Sequence, residues 1–217
     1  MNASLNYRKQ IRGLRNTVDF NDINQFLTVK MFNNPSEDVQ GNINIQKTIK
    51  NLKYKVNLGF NNSNYIQELN NTVQINKNNN YDYELGIETL FDNFPTVEIG
   101  VKRAVGNFTA STNTWKFVIV EPFVTIDYNF LESFIFNFDY RKSDYQNKTL
   151  GQKNTYEIAN ATLSYKNENS AWSYKITAQN MFNAQFKQSN RFSDFLISDR
   201  RTFILPRIVM FSIGYNL

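Results

Sequence analysis

The stretch Val209-Met-Phe-Ser-Ile-Gly-Tyr-Asn-Leu217 decides the fold, because apolar side chains alternate in it with small or polar ones. In an extended chain, successive side chains point to opposite faces, so Phe211 and Ile213 share one face while Ser212 and Gly214 share the other. A helical period of 3.6 residues does not fit this pattern. The end of the chain is therefore predicted to be a two-faced β-strand.

The same alternation recurs throughout the sequence, for example in 56–60, 83–87, 134–140 and 172–178. Because none of these runs has helical period, we predict an all-β fold in one domain spanning 1–217. About ten antiparallel strands are predicted, near residues 2–11, 39–49, 53–66, 81–91, 96–106, 115–129, 133–142, 156–166, 172–183 and 203–217.

The connections between these strands alternate strictly between short and long. The short ones are 50–52, 92–95, 130–132 and 167–171; the long ones are 12–38, 67–80, 107–114, 143–155 and 184–202. Tight turns at one end of a sheet and long loops at the other are typical of transmembrane β-barrels. Gln25 to Phe32 also alternates, but we assign it to the first long loop because an extra strand would break this order. The fold predicted is thus an antiparallel transmembrane β-barrel.

Aromatic residues lie near both ends of the predicted strands, as expected for rings at two bilayer interfaces. Lys47 is the clearest cation on an apolar face, and its stem can reach the interface beside the turn at 50–52. Pro122 predicts a bulge or an unpaired ladder position. The two groups of rings are Tyr54, Phe91, Phe94, Tyr128, Phe130, Phe134, Tyr165, Trp172 and Tyr215 near the short turns, and Tyr65, Tyr81, Phe108, Trp115, Tyr140, Tyr156, Phe182 and Phe203 near the long loops.

The composition of the 217 residues excludes several classes of protein. The chain has no Cys and no His, so it cannot form a His- or Cys-ligated metal site, a Ser-His-Asp triad or a disulfide framework. It has no run of about 18 apolar residues, which excludes a helical membrane span. We expect no enzymatic activity and no cofactor. The net charge of +5 comes from Lys and Arg residues scattered along the chain, with no run longer than two, so no nucleic-acid partner is expected.

The C-terminal region resembles the TonB-dependent outer-membrane receptors. Asn180-Met181-Phe182-Asn183, at the end of the penultimate predicted strand, is similar to an Asn-Leu-Phe-Asn element of that family. Leu205-Pro206-Arg207 followed by an alternating terminal strand resembles the strand that closes the family's barrel. The rest of the chain resembles the Bacteroidota-type outer-membrane β-barrel branch in pattern rather than in motif.

The resemblance implies a larger assembly than this chain provides. Receptors of the family have a plug domain and a barrel of about 22 strands, whereas this sequence has room for about half the barrel and no plug. The chain then corresponds to the C-terminal half of a receptor barrel, as a fragment, a split-gene product or part of a longer chain. A ten-stranded barrel closed on itself is the alternative. The absence of a secretory signal before Arg8 favours the fragment.

The function implied is the wall of a substrate-uptake channel in the bacterial outer membrane. The partners implied are outer-membrane lipid and lipopolysaccharide, the outer-membrane insertion machinery, the remaining barrel strands, a plug domain on which TonB acts, and a surface lipoprotein. The alternative function is a barrel or half-barrel that scaffolds a membrane complex without transport.

Asp82, Glu84 and Glu88 share a predicted face and could be read as a cation site, but their spacing is what an alternating acidic lumen gives.

Three groups of residues are predicted to carry the roles of lumen lining, ligand contact and insertion signal. The predicted lumen-facing residues are Asn42, Asn44, Asn57, Glu84, Glu88, Asp127, Asn137 and Asp139. The predicted ligand contacts in extracellular loops are Arg12, Arg15, Tyr145, Arg191, Arg200 and Arg201. The predicted insertion signal is Phe211, Ile213, Tyr215 and Leu217.

Overall fold

A computed structural model describes residues 1–21, 24–110, 113–167, 169–192 and 197–216, and these residues form strands joined by turns and short connections. None of the described residues belongs to a helix long and apolar enough to cross a membrane. The strands are β1 (Asn2–Gln10), β2 (Gly13–Asn21), β3 (Asn24–Phe32), β4 (Ser36–Ile49), β5 (Leu52–Leu69), β6 (Thr72–Thr89), β7 (Thr96–Ala110), β8 (Asn113–Phe130), β9 (Phe134–Asn147), β10 (Gln152–Lys166), β11 (Trp172–Gln179), β12 (Phe186–Phe192), β13 (Ile197–Phe203) and β14 (Ile208–Tyr215).

Ten of these strands follow one another in a single sheet, in the order β1-β4-β5-β6-β7-β8-β9-β10-β11-β14. They are the ten predicted strands, in chain order, and every neighbouring pair is antiparallel. The all-β antiparallel prediction is confirmed. The assignment of Gln25 to Phe32 to a loop is wrong: these residues lie in β3, which pairs with β2. Because β2 and β3 form a hairpin of their own, they do not come between any two of the ten strands, and the predicted strand order is unchanged.

The sheet is open. Within the described residues, β1 pairs with β4 alone and β14 with β11 alone, so the first and last strands do not meet. The ten-stranded barrel closed on itself is therefore wrong for this chain. The strands are longest in the middle of the order, because β5, β6 and β8 each have 18 residues whereas β1 has 9 and β11 and β14 have 8.

The predicted long loops are largely strand. β5 and β6 remain paired as far as Leu69 and Thr72, and the connection between them is Asn70 and Asn71, which adopt φ of 48° and 59°. β7 with β8 and β9 with β10 likewise replace most of 107–114 and 143–155. The Asn-rich distal segments lack alternation and have low β-propensity, but each is held by the backbone ladder of its hairpin. The loops 12–38 and 184–202 contain the hairpins β2–β3 and β12–β13.

Matched registers give the ten-stranded sheet two distinct faces, because directly paired residues share a face. The face that contains Leu58, Leu85 and Ile99 is called the apolar face, and the one that contains Asn57, Glu84 and Lys102 the polar face. Pro122 does not disturb this arrangement. The pairs Val120↔Asp144 and Phe123↔Arg141 flank it in one register, so it leaves a gap in the ladder without a bulge.

Aromatic rings form one band on the apolar face, near the short turns. Stacked or tilted neighbours lie 4.8–5.2 Å apart between ring centroids in three successive contacts, Tyr128–Phe130, Phe130–Phe134 and Phe134–Tyr165, and in the separate pair Trp172–Tyr215. The second predicted belt is wrong in part. Register places Tyr65, Phe108, Trp115 and Tyr156 on the polar face, whereas Tyr81 and Tyr140 lie on the apolar one.

The polar face is concave across the middle of the sheet. Side chains from six successive strands, β5 to β10, line a common cavity of about 340 Å³. Glycines on this face make room for the curvature. A Cβ on Gly100 would lie 2.5 Å from the Phe123 ring, and one on Gly106 would lie 2.1 Å from the Phe117 ring. Curvature of this kind is commonly produced by glycines within strands.

Candidate functional site

All eight residues predicted to face a lumen share the polar face, as register shows. Several are linked across strands by side-chain hydrogen bonds. Asn44 donates to Asn57 at 2.5 Å, Asn137 to Asp127 at 2.6 Å, and Asn160 to Asp139 at 3.0 Å. Each bond joins cross-strand neighbours, whose Cβ atoms lie about 5 Å apart in a sheet. The result is a surface that presents amide and carboxylate groups in ordered rows.

An ion-pair cluster lies on the polar face near the short turns. Lys55 Nζ is 2.7 Å from Glu88 Oε2 and 3.0 Å from Glu98 Oε2, and Lys53 Nζ is 3.3 Å from Glu88 Oε2. The Lys55 and Glu88 side chains are only 18% and 17% exposed. Partial burial strengthens such pairs relative to exposed ones. The cluster therefore ties β5, β6 and β7 together.

The 340 Å³ cavity lies farther from those turns. Glu84 and Lys102, register partners on β6 and β7, line it with their charged groups 3.1 Å apart, and Tyr145, 3% exposed, forms part of its wall. Lys187 and Thr202, from the β12–β13 hairpin, also line it. This hairpin therefore reaches over the concave face. Nowhere among the described residues do three or more acidic, His or Cys side chains gather as a metal site.

Asn180 holds the base of the β12–β13 hairpin. Its side-chain amide donates to the carbonyls of Ala184 at 2.9 Å and Leu205 at 2.8 Å, and its Oδ1 accepts from the Ala184 N–H at 2.8 Å. Asn180 is 4% exposed and has φ of 48°, a conformation that Asn adopts more readily than most residues. One side chain thus joins the chain entering the hairpin to the chain leaving it.

The β2–β3 hairpin docks on the distal end of β5. Arg15 donates to the Ile66 carbonyl at 3.1 Å, and the Asn70 N–H donates to the Val18 carbonyl at 2.9 Å. Val18 is fully buried. Lys30 donates a hydrogen bond to Glu68, and this bond raises the pKa of Lys30. The hairpin is therefore packed against the sheet and encloses a cavity of about 430 Å³.

The predicted ligand contacts do not form one group. Arg15 lines the 430 Å³ cavity, whereas Arg12 is exposed between β1 and β2 and lines none of the described cavities. Tyr145 lies within β9 and not in a loop. The remaining three are in the β12–β13 hairpin: Arg201 lies over the Phe186 ring at 5.4 Å, Arg200 is exposed, and the side chain of Arg191 lies outside the described residues.

The predicted insertion signal lies on β14. Phe211, Ile213 and Tyr215 share the apolar face and are 54–62% exposed, and Leu217 lies outside the described residues. Phe211 stacks on Tyr174 with ring centroids 6.4 Å apart. The C-terminal strand thus continues the apolar face of the sheet to its edge.

No protein-family model, curated protein or solved structure matches the chain. The resemblance to TonB-dependent receptors therefore rests on the residues quoted for it.

Sequence reasoning missed the structural role of Asn180 and the contribution of Arg8 and Gln67 to the 430 Å³ cavity. Asn180 belongs to the quoted Asn-x-Phe-Asn element, so a signal was present, although the sequence does not show which carbonyls it contacts. Gln67 lies in a segment predicted to be a loop, and its burial follows from strand pairing that the polar sequence conceals.

Proposed function

We propose that this chain forms part of the wall of an outer-membrane β-barrel that serves as a substrate-uptake channel of the TonB-dependent type. The observation that carries the proposal is the two-faced sheet. Leu58, Leu85 and Ile99 are 42–58% exposed on the apolar face, in the middle of a sheet of ten strands. Soluble proteins rarely expose large apolar surfaces, and a lipid bilayer would cover this one without a protein partner.

The dimensions of the strands support the same proposal. A transmembrane β-strand needs about 9–11 tilted residues, and β5 and β6 exceed this by several residues. On the apolar face, the side chains change from apolar to polar between Phe60 and Asn62 and between Tyr81 and Asn79. The apolar segments would cross the bilayer, and the polar extensions with their hairpins would project beyond it.

The open edges identify what the channel would still require. Among the described residues, β1 and β14 each present an unpaired edge, and an open edge in the hydrocarbon layer leaves backbone polar groups without partners. Further strands, from a longer form of the chain or from a second chain, would close the barrel. The polar face would then line the lumen, where a plug would sit and a ligand would pass.

The test is expression of the complete locus followed by fractionation of the cell envelope. We expect the chain to remain in the outer-membrane fraction after extraction with alkaline carbonate, because burial of the apolar face in lipid resists this treatment. Recovery in the soluble fraction would contradict the proposal. Uptake of the substrate through this channel should cease when the energy source at the inner membrane is removed. If the chain stays in the outer-membrane fraction but uptake is unchanged when that energy source is removed, the scaffold alternative would hold instead.

A further inference from the structure

The 430 Å³ cavity between β1, β4, β5 and the β2–β3 hairpin has a distinct chemical character. Its charged lining residues are Arg8, Arg15, Glu37 and Asp38, and most of the others are polar. Its volume is in the range of small-molecule sites. The hairpin that encloses it is fixed by the buried Val18 and by the Arg15–Ile66 hydrogen bond.

The two guanidinium groups keep donors available. Arg15 uses one N–H on the Ile66 carbonyl out of the five that a guanidinium carries. The salt bridges formed among the described residues include neither Arg8 nor Arg15. Glu37, by contrast, is already neutralised, since its Oε1 lies 2.9 Å from Lys9 Nζ. The unpaired charge in the cavity is therefore positive on balance, with Asp38 as the one opposing group.

Gln67 supplies an independent indication of a ligand. It lines the cavity and is 2% exposed, and its Oε1 accepts from Asn76 Nδ2 at 2.7 Å. Its Nε2 is buried and has no hydrogen-bond partner among the described residues. Buried donors are almost always paired in native proteins. A ligand acceptor in the cavity would satisfy this one.

We infer that the cavity is a binding site for a small oxyanion, a carboxylate or phosphate, carried by a molecule that also has a hydrogen-bond donor. Arg8 and Arg15 bind the oxyanion, because guanidinium groups match the geometry of such groups. Gln67 donates to it as well. Asp38, directly opposite Arg8 in the β1–β4 register, accepts from the hydroxyl of the ligand. The inference does not rest on the proposed transport, because binding is a property of the folded chain.

The test is calorimetric titration of the purified full chain with L-malate and, separately, with inorganic phosphate, which distinguishes the two oxyanions. We expect saturable binding of at least one, weakened by added salt. Arg8→Gln and Arg15→Gln should each weaken binding about tenfold or more, as for the loss of a charged hydrogen bond. Arg12→Gln is the matched control, because Arg12 is a neighbouring exposed arginine that does not line the cavity, and it should leave affinity unchanged.

Asp38→Asn guards against variants that merely fail to fold. Removing this carboxylate removes the one opposing charge, so phosphate should bind several times more tightly, which unfolding cannot produce. The inference is overturned if neither probe binds saturably, if Arg12→Gln weakens binding as much as Arg15→Gln, or if Asp38→Asn weakens phosphate binding. Binding by a chain that fails the fractionation test would refute transport alone.

Discussion

The two faces of β5 to β8 differ in what holds their side chains. On the apolar face, Ile99 is 58% exposed, and its register partner Ile87 on the adjacent strand is 46% exposed. On the polar face, one residue further along, Gly100 lies under the ring of Phe123, and the nearby Lys55 is in contact with two carboxylates. The same strands thus have a polar face whose side chains contact one another and an apolar face that the described part of the chain leaves exposed.

This difference reverses the usual arrangement of a soluble sheet, in which apolar side chains are buried and polar ones are exposed. Under the proposed function, lipid would cover the apolar face of the described sheet. Substitutions confined to one face at a time test this difference.

The largest effect is expected from a charge on the apolar face. Ile99→Lys would place an ammonium group where lipid is expected, at a cost that reaches about 2–4 kcal/mol at the bilayer midplane and falls toward the interfaces. Thr125→Lys is the matched control, because Thr125 lies on the polar face and is paired with Glu98 and Asp139. Denaturant-induced unfolding from lipid vesicles measures both. Equal destabilisation by the two lysine substitutions would contradict the proposed difference between the apolar and polar faces.

A smaller effect is expected from Asn180→Ala, which alters the hairpin that covers the polar face. Three hydrogen bonds at its base are lost, and the carbonyls and amide they leave unpaired cost about 1–3 kcal/mol. The site of proteolytic cleavage should move to 184–205 while the ten-stranded sheet stays intact. Asn183→Ala, which removes one acceptor for the Arg207 N–H, should have a weaker effect. Cleavage spread evenly over the sheet would contradict the role given to Asn180.

Glu88→Gln tests the polar face in its ion-pair cluster. It removes one of the two carboxylates within 3.0 Å of Lys55 and the partner of Lys53. We expect a loss of about 1 kcal/mol, moderated by the remaining Glu98 and by partial exposure. The loss should shrink at high salt, as thermal unfolding at two ionic strengths would show. A loss that does not depend on salt would point to packing instead of charge.

Pro122→Val is expected to have an effect of similar or smaller size and of the opposite sign. Valine keeps an apolar side chain on the apolar face and restores an N–H at the gap in the β8–β9 ladder. One added backbone hydrogen bond should stabilise the sheet by about 0.5–1.5 kcal/mol. Hydrogen exchange of the amides around Arg141 would then slow. Faster exchange there would mean that proline fits a distortion that the register does not show.

The sequence was a good guide to the fold wherever a strand has two chemically different faces. Alternation located ten strands and their order, and period two placed Asn57, Glu84 and Asn137 on the same face. It failed where both faces are polar, as in the distal part of β6, because Asn76 to Asn80 show no alternation. It also failed for the cavities. Arg8 and Arg15 are seven residues apart in the sequence, and only the docking of Val18 near Leu69 brings them to one cavity.

The most direct test of the membrane-wall proposal is the reactivity of single cysteines, which the absence of Cys from the chain makes clean. Ile99→Cys and Asn137→Cys replace two side chains that are both exposed in the isolated sheet, one on the apolar face and one on the polar face. In cells expressing the complete locus, a water-soluble maleimide added after outer-membrane isolation should label Asn137→Cys and leave Ile99→Cys unlabelled. Equal labelling of the two cysteines would show that water covers both faces, which would contradict the membrane-wall proposal.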